Sequence, residues 1–136
     1  MAHGVYCGTL RALIHLLKYE EVEPVARRLG VLLAGQVLTI PDLPQNLLVI
    51  PVPLFARKRR QRGFNQSDLL ARSAVAVLRS RRPEMHLKLL PGALIRRRAT
   101  ESQAGLSPHQ RRTNLRGAFF VPRPAQLAGM DVLLID

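Results

Sequence analysis

The chain has 136 residues, a mass of 15.2 kDa, and 47% hydrophobic and 22% charged side chains. That composition builds one globular domain, or part of one, and excludes wholesale disorder. No apolar run approaches the roughly 18 residues of a membrane span, since the longest, Leu29 to Ile40, is broken by Gly30, Gly35 and Gln36. The start, Met1-Ala2-His3-Gly4, lacks a basic region ahead of an apolar stretch, and the single cysteine, Cys7, excludes an internal disulfide or a cysteine-built zinc site. A cytoplasmic protein with no zinc is the expectation.

Charge is the first informative feature. Lys and Arg number 21 against 9 Asp and Glu, a net +12, and all but Lys18, Lys58 and Lys88 of the cations are arginine. Residues 57–116 hold 16 basic and 3 acidic side chains, while the remainder is slightly acidic. A GC-rich coding sequence would favour arginine over lysine, but it does not gather the charge in one block. Such a block attracts polyanions, and the planar guanidinium suits bidentate contact with phosphate.

In chain order, Leu10, Leu13, Ile14 and Leu17 fall at helical spacing and predict a helix over 9–19 with Thr9 as its cap. A second helix is expected from Pro24, burying Val25, Leu29, Leu32 and Leu33, and Pro41, Asp42 and Pro44 make a turn. Leu47-Leu48-Val49-Ile50 is a continuous apolar run, the pattern of a strand covered on both faces in a parallel sheet. A basic loop, Arg57 to Arg62, comes next. Asn65 or Ser67 caps a third helix that buries Leu70, Ala74 and Val77 and stops before Pro83. Leu87 to Leu90 reads as a strand, Arg96 to Gly105 as a loop, and Ser107, Pro108 and Gly117 outline a short helix. Ala118 to Val121 and Val132 to Ile135 complete the strands. Alternating strands and helices imply an α/β layer architecture, whose ligands bind at the carboxyl ends of the strands.

The segment Arg57-Lys58-Arg59-Arg60-Gln61-Arg62-Gly63-Phe64-Asn65-Gln66 places five cations just ahead of a helix start. Backbone N–H groups at such a start favour an anion, and Gly63 permits close approach or a positive φ. Read from the residues alone, it is either a phosphate or pyrophosphate site or a solvated basic loop that tethers nucleic acid.

Four blocks in order resemble the ComF (competence protein) family. Tyr6-x-Gly8-x-Leu10-Arg11-x-Leu13-Ile14-x-x-Leu17-Lys18-Tyr19 is similar to its opening helix. Ile50-Pro51-Val52-Pro53-Leu54, then Arg57, Arg60 and Arg62 through Gln66, resembles its signature segment. Arg96-x-Arg98-x-Thr100-x-x-Gln103, then Arg111-x-x-Asn114-x-x-Gly117, resembles a third block, and Val132 to Asp136 a fourth.

The resemblance implies a type I phosphoribosyltransferase-like fold: a parallel sheet with flanking helices, incomplete at the C-terminus. It divides the chain into a helical region over 1–45 and a partial core over 46–136. The implied substrate is phosphoribosyl diphosphate (PRPP), carried with Mg²⁺, and the acceptor is unknown. Pro51, Val52 and Pro53 then stand where the pyrophosphate loop lies, with Arg57, Arg60 and Arg62 for the diphosphate and Asn65 and Gln66 to orient that loop or cap the helix. Asp136 is the first of an acidic pair for the ribose. Residues 96–114 stand where a flexible loop closes over PRPP, and Arg98, Gln103 and Arg111 are the candidate catalytic side chains.

The chain reaches only the first acid of that pair and has no four-cysteine ribbon, so a fragment is expected, inactive alone, with Val132, Leu134 and Leu48 left as exposed apolar surface. Two further readings are a nucleic-acid-binding accessory of DNA uptake on the same fold and a PRPP-responsive regulator. Few exposed aromatics are expected near the basic block, with only Phe55 and Phe64 counted there, which speaks against single-strand stacking. His3, His15, His86 and His109 are scattered, and none is paired for a metal.

Overall fold

The apolar run at Leu47 to Ile50 forms the centre of a three-stranded parallel sheet. In the computed structural model, which describes residues 8–19, 23–103 and 105–136, strand β1 (Asn46–Pro51) is flanked by β2 (His86–Leu89) and by a strand at Val132–Ile135. The register pairs Leu47 with Leu87 on one side and Leu48 with Val132 and Pro51 with Ile135 on the other. Every β1 residue after Asn46 is buried, as the absence of alternation predicts.

Helices α1 (Gly8–Tyr19) and α2 (Glu23–Val37) precede β1. α1 starts one residue before Thr9, which therefore lies in its first turn rather than capping it. Its apolar stripe docks on α2, with Leu17 buried against Val25, Ala26 and Leu29. Tyr6, Cys7 and the side chains of Lys18 and Tyr19 lie outside the described residues.

Between β1 and β2 the chain forms α3 (Ala56–Arg62) and α4 (Gln66–Arg81). The expected basic loop is thus a helix. Lys, Arg and Gln are good helix formers, no breaker falls inside the segment, and Gly63 ends it with φ at 81°, a left-handed cap that side-chain-bearing residues rarely adopt. α4 stops at Arg81, and the Arg79 guanidinium donates to the Leu87 carbonyl at 2.8 Å, tying the helix end to β2.

One sheet face carries the main core. A strand's period of two turns Leu47 and Val49 to the same side, where they meet Ala71, Ala74, Val75 and Leu78 of α4 and Ala34 and Val37 of α2. Burial of each such leucine or valine contributes about 1.5–3 kcal/mol. α2 and α4 approach closely at Gly30, where a Cβ would stand 2.4 Å from that of Ser73. Leu48, expected on the surface, is only 4% exposed.

Past β2 the chain makes β3 (Ile95–Arg96), α5 (Pro108–Leu115), β4 (Phe119–Phe120), a 3-10 turn at Pro124–Gln126 and β5 (Val132–Ile135). β3 and β4 pair antiparallel, Ile95 with Phe120 and Arg96 with Phe119, so the segment expected as a loop from Arg96 begins inside a ribbon. α5 opens with a full capping box: the Gln110 N–H donates to the Ser107 hydroxyl, and the Ser107 N–H donates to the Gln110 side chain. Val132 and Leu134 of β5 are 41% and 58% exposed, as expected.

Candidate functional site

The chain leaves β1 toward β2 on one side, while β5 lies on the other. The crevice at the carboxyl ends of β1 and β5 is therefore where strand order reverses, the place where open α/β sheets take ligands. Pro51, Val52 and Pro53 leave β1 at that point, and Asp136 follows β5 there. The Val52 N–H donates to the Ile135 carbonyl at 2.8 Å. Neither proline has an N–H to offer. The three-residue turn accordingly has no free backbone donor, and an anion here must be met by side chains.

Asn65 holds the turn. Its Nδ2 donates to the Val52 carbonyl at 3.1 Å, while its Oδ1 accepts from the Ser67 N–H at 3.4 Å and caps α4. The two roles named for Asn65 in the sequence fall to one side chain. Ser67, fully buried, donates its hydroxyl to an Asp136 carboxylate oxygen at 3.4 Å, so the start of α4 also reaches the end of β5. Gln66 accepts from the Arg62 guanidinium at 3.1 Å, which fastens α3 to α4.

The remaining cations are arranged by the helix they occupy. At 3.6 residues per turn, Arg57 and Arg60 share one face of α3 and Arg59 and Arg62 another. Arg57, Arg59 and Arg60 are exposed. Arg59 faces a cleft of about 440 Å³ between α3, the start of α4 and the segment from Pro91 to Arg96, whereas Arg57 and Arg60 do not line it. Asp68 and Arg96 also line this cleft, and Asp68 Oδ1 and Arg96 Nε are sealed from solvent without partners. Arg96 opens the third of the resembling blocks, but nothing in the sequence singles out Asp68, and only the fold brings both to one cleft.

The three candidate catalytic residues lie in the long connection between β3 and β4. Arg98 donates to the carbonyls of Asn114 and Arg116 at 2.7 and 2.9 Å. Asn114 exchanges two hydrogen bonds with the backbone of Glu101, donating to its carbonyl and accepting from its N–H. Arg111 donates to the Leu106 carbonyl at 3.0 Å, and Gln103 is half-buried beside a turn in which its carbonyl accepts from the Leu106 N–H. In this structure both arginines brace the connection itself. At its base, Arg96 bonds Thr100 and lies over the Phe119 ring, and the Arg97 guanidinium sits 3.2 Å from the centre of the Phe120 ring.

Among the described residues no three His, Cys, Asp or Glu side chains gather to hold a metal, and no helix is long and apolar enough to cross a membrane.

The fold and site together define an α/β protein with a parallel sheet, whose strand-end crevice lies beside a basic helix. Over nearly its whole length the chain is similar to the DNA utilization protein YhgH of Escherichia coli, 35% identical over 136 residues, which cover 96% of this chain and 55% of that protein. The protein of the same name from Salmonella typhi is 33% identical over 134 residues with the same shares. Competence protein F of Haemophilus influenzae is 33% identical over 119 residues, 85% of this chain and 49% of that one. These similarities support a relationship to the ComF family, and the chain spans about half the length of the relatives it matches. No protein-family model and no solved structure matches it significantly.

Proposed function

We propose that the crevice between the ends of β1 and β5 is the diphosphate end of a PRPP site, and that the chain is part of a PRPP-dependent transferase. The observation that carries this reading is the convergence at the strand-order reversal. Pro51 stands opposite Ile135, Val52 is held by Asn65, Asp136 is held by Ser67, and the guanidiniums of α3 lie next along the chain. In such a reaction charge collects on the departing pyrophosphate, so fixed cations at its position stabilise the transition state. Bound Mg²⁺ would supply further charge neutralisation on the diphosphate oxygens. Arg59 and Arg62 would bind and orient that end, while the braced connection over 97–118 would stand as the cover that excludes water.

The test is calorimetric titration of PRPP with and without Mg²⁺. Binding is expected to require the metal and to weaken about tenfold or more in Arg62→Ala, since a charge-assisted hydrogen bond contributes about 1.5–3 kcal/mol. Metal-independent binding, or an unchanged affinity in the variant, removes the reading.

A second reading rests on its own observation. The relatives carry names of DNA utilization and competence, and the basic helices of this chain leave no residue buried: α3 holds five cations, and α5 adds Arg111 and Arg112. A surface of that kind fits nucleic acid and would lose affinity steeply as salt rises.

A further inference from the structure

The ribbon of β3 and β4 presents an unusual face. Alternation along β3 puts Ile95 and Arg97 on one side, and the register sets Phe120 directly opposite Ile95. Phe120 is 36% exposed and Ile95 43%, large apolar side chains that the core does not use. The Arg97 N–H donates to the Ala118 carbonyl at 2.8 Å, which extends the ribbon and fixes the backbone of this arginine. The Cζ of its guanidinium then lies over the Phe120 ring, 3.2 Å from the centre, and Arg97 is an exposed residue.

A planar cation on an aromatic ring, both open to solvent, is a stacking surface. Its surroundings are cationic: residues 96–116 contain six arginines and one acid, Glu101. Polyanions that also expose flat apolar faces are single-stranded nucleic acids, whose unpaired bases stack on phenylalanine and on guanidinium planes. In a duplex those faces are hidden inside the base-pair stack. A protein partner with an acidic rim would use the charge but not the exposed plane.

We propose that Ile95, Arg97 and Phe120 form a base-stacking platform for single-stranded nucleic acid. This rests on the second reading above and sharpens it from polyanion attraction to recognition of unpaired bases. Arg97 contributes through the plane of its guanidinium as well as its charge, and Phe120 through its ring as well as its bulk.

The experiment is fluorescence anisotropy of the full chain with a labelled oligothymidylate of about 15 nucleotides and, separately, with a duplex of equal length. Salt is stepped from about 50 to about 200 mM. The variants are Phe120→Leu, which keeps apolar volume and loses the ring, and Arg97→Lys, which keeps the charge and loses the plane. Both positions are exposed, so unchanged far-ultraviolet dichroism and melting midpoint are expected and serve as the folding check. The expected result is preferential binding of the single strand, weakened roughly tenfold in each variant, with the salt slope unchanged because no cation is lost. Single-strand affinity that survives both substitutions overturns the platform while leaving the nucleic-acid reading intact. Equal affinity for the duplex does the same. Absence of binding to either nucleic acid by the unmodified chain overturns both.

Discussion

Asn65 is the residue on which most of the strand-end geometry depends. Its amide nitrogen holds Val52, and its amide oxygen caps α4. The two functions separate by substitution. Asn65→Ala loses both and is expected to lower stability by about 1–2 kcal/mol, the usual range for a lost cap with a further hydrogen bond. Asn65→Asp keeps an acceptor for the Ser67 N–H but has no donor for the Val52 carbonyl. Chemical denaturation should therefore place it between the wild type and the alanine variant. Equal stability of the two variants would mean that only the bond to Val52 matters. The sequence placed the cap at Asn65 or Ser67, because polar residues stand just ahead of an apolar helical stripe, and the structure assigns it to Asn65. Its hold on Val52, 13 residues away, was not legible in the sequence.

At the scale of elements, α5 is the most locally determined. It has eight residues, none buried, and a full capping box with Pro108 at its first turn. A helix this short is marginal in isolation, so its cap and its tether at Asn114 must hold it. Ser107→Ala should cost about 1 kcal/mol of local helix stability. Hydrogen exchange should then speed up at the amides of residues 111–115 while the protection of β1 stays unchanged. Loss of protection across the sheet would contradict this, since it would couple α5 to the core. Ser107, Pro108 and Gly117 announced this helix in the sequence. α3 is the opposite case. A run of cations suggested a solvated loop, but helix propensity and the Gly63 stop produced a helix, and that helix sorts its arginines onto different faces.

For the molecule as a whole, burial is uneven. Leu48 and Ile50 are 4% and 2% exposed, whereas Val132 and Leu134 on the neighbouring strand remain open, and β5 pairs only with β1 among the described residues. An apolar strand with an open edge is a template for association. Leu134→Lys is expected to reduce concentration-dependent light scattering without lowering the melting midpoint, because the side chain replaced is more than half exposed. A drop in melting midpoint would show that Leu134 is packed in solution. The net charge of +12 opposes self-association at low salt, so the difference between the two proteins should widen as salt is added.

Hydrophobic periodicity, prolines and caps announced α1, α2, α4 and α5 and the strands β1, β2, β4 and β5, but neither α3 nor β3. The unalternating run at Leu47 to Ile50 announced the central strand, because a strand covered on both faces has no polar side to show. The concentration of positive charge over 57–116 was equally a property of the sequence. Only the tertiary structure decided which cations face the strand ends, that Arg98 and Arg111 bond backbone carbonyls of their own connection, and that Ser67 meets Asp136. It also brought Arg97 onto Phe120, although the nearby sequence gave little sign of an exposed aromatic surface. The physical reason is range. Caps and periodicity act over a few residues, whereas strand order and register join residues far apart in the chain, and no local pattern encodes which distant partner a polar atom will find.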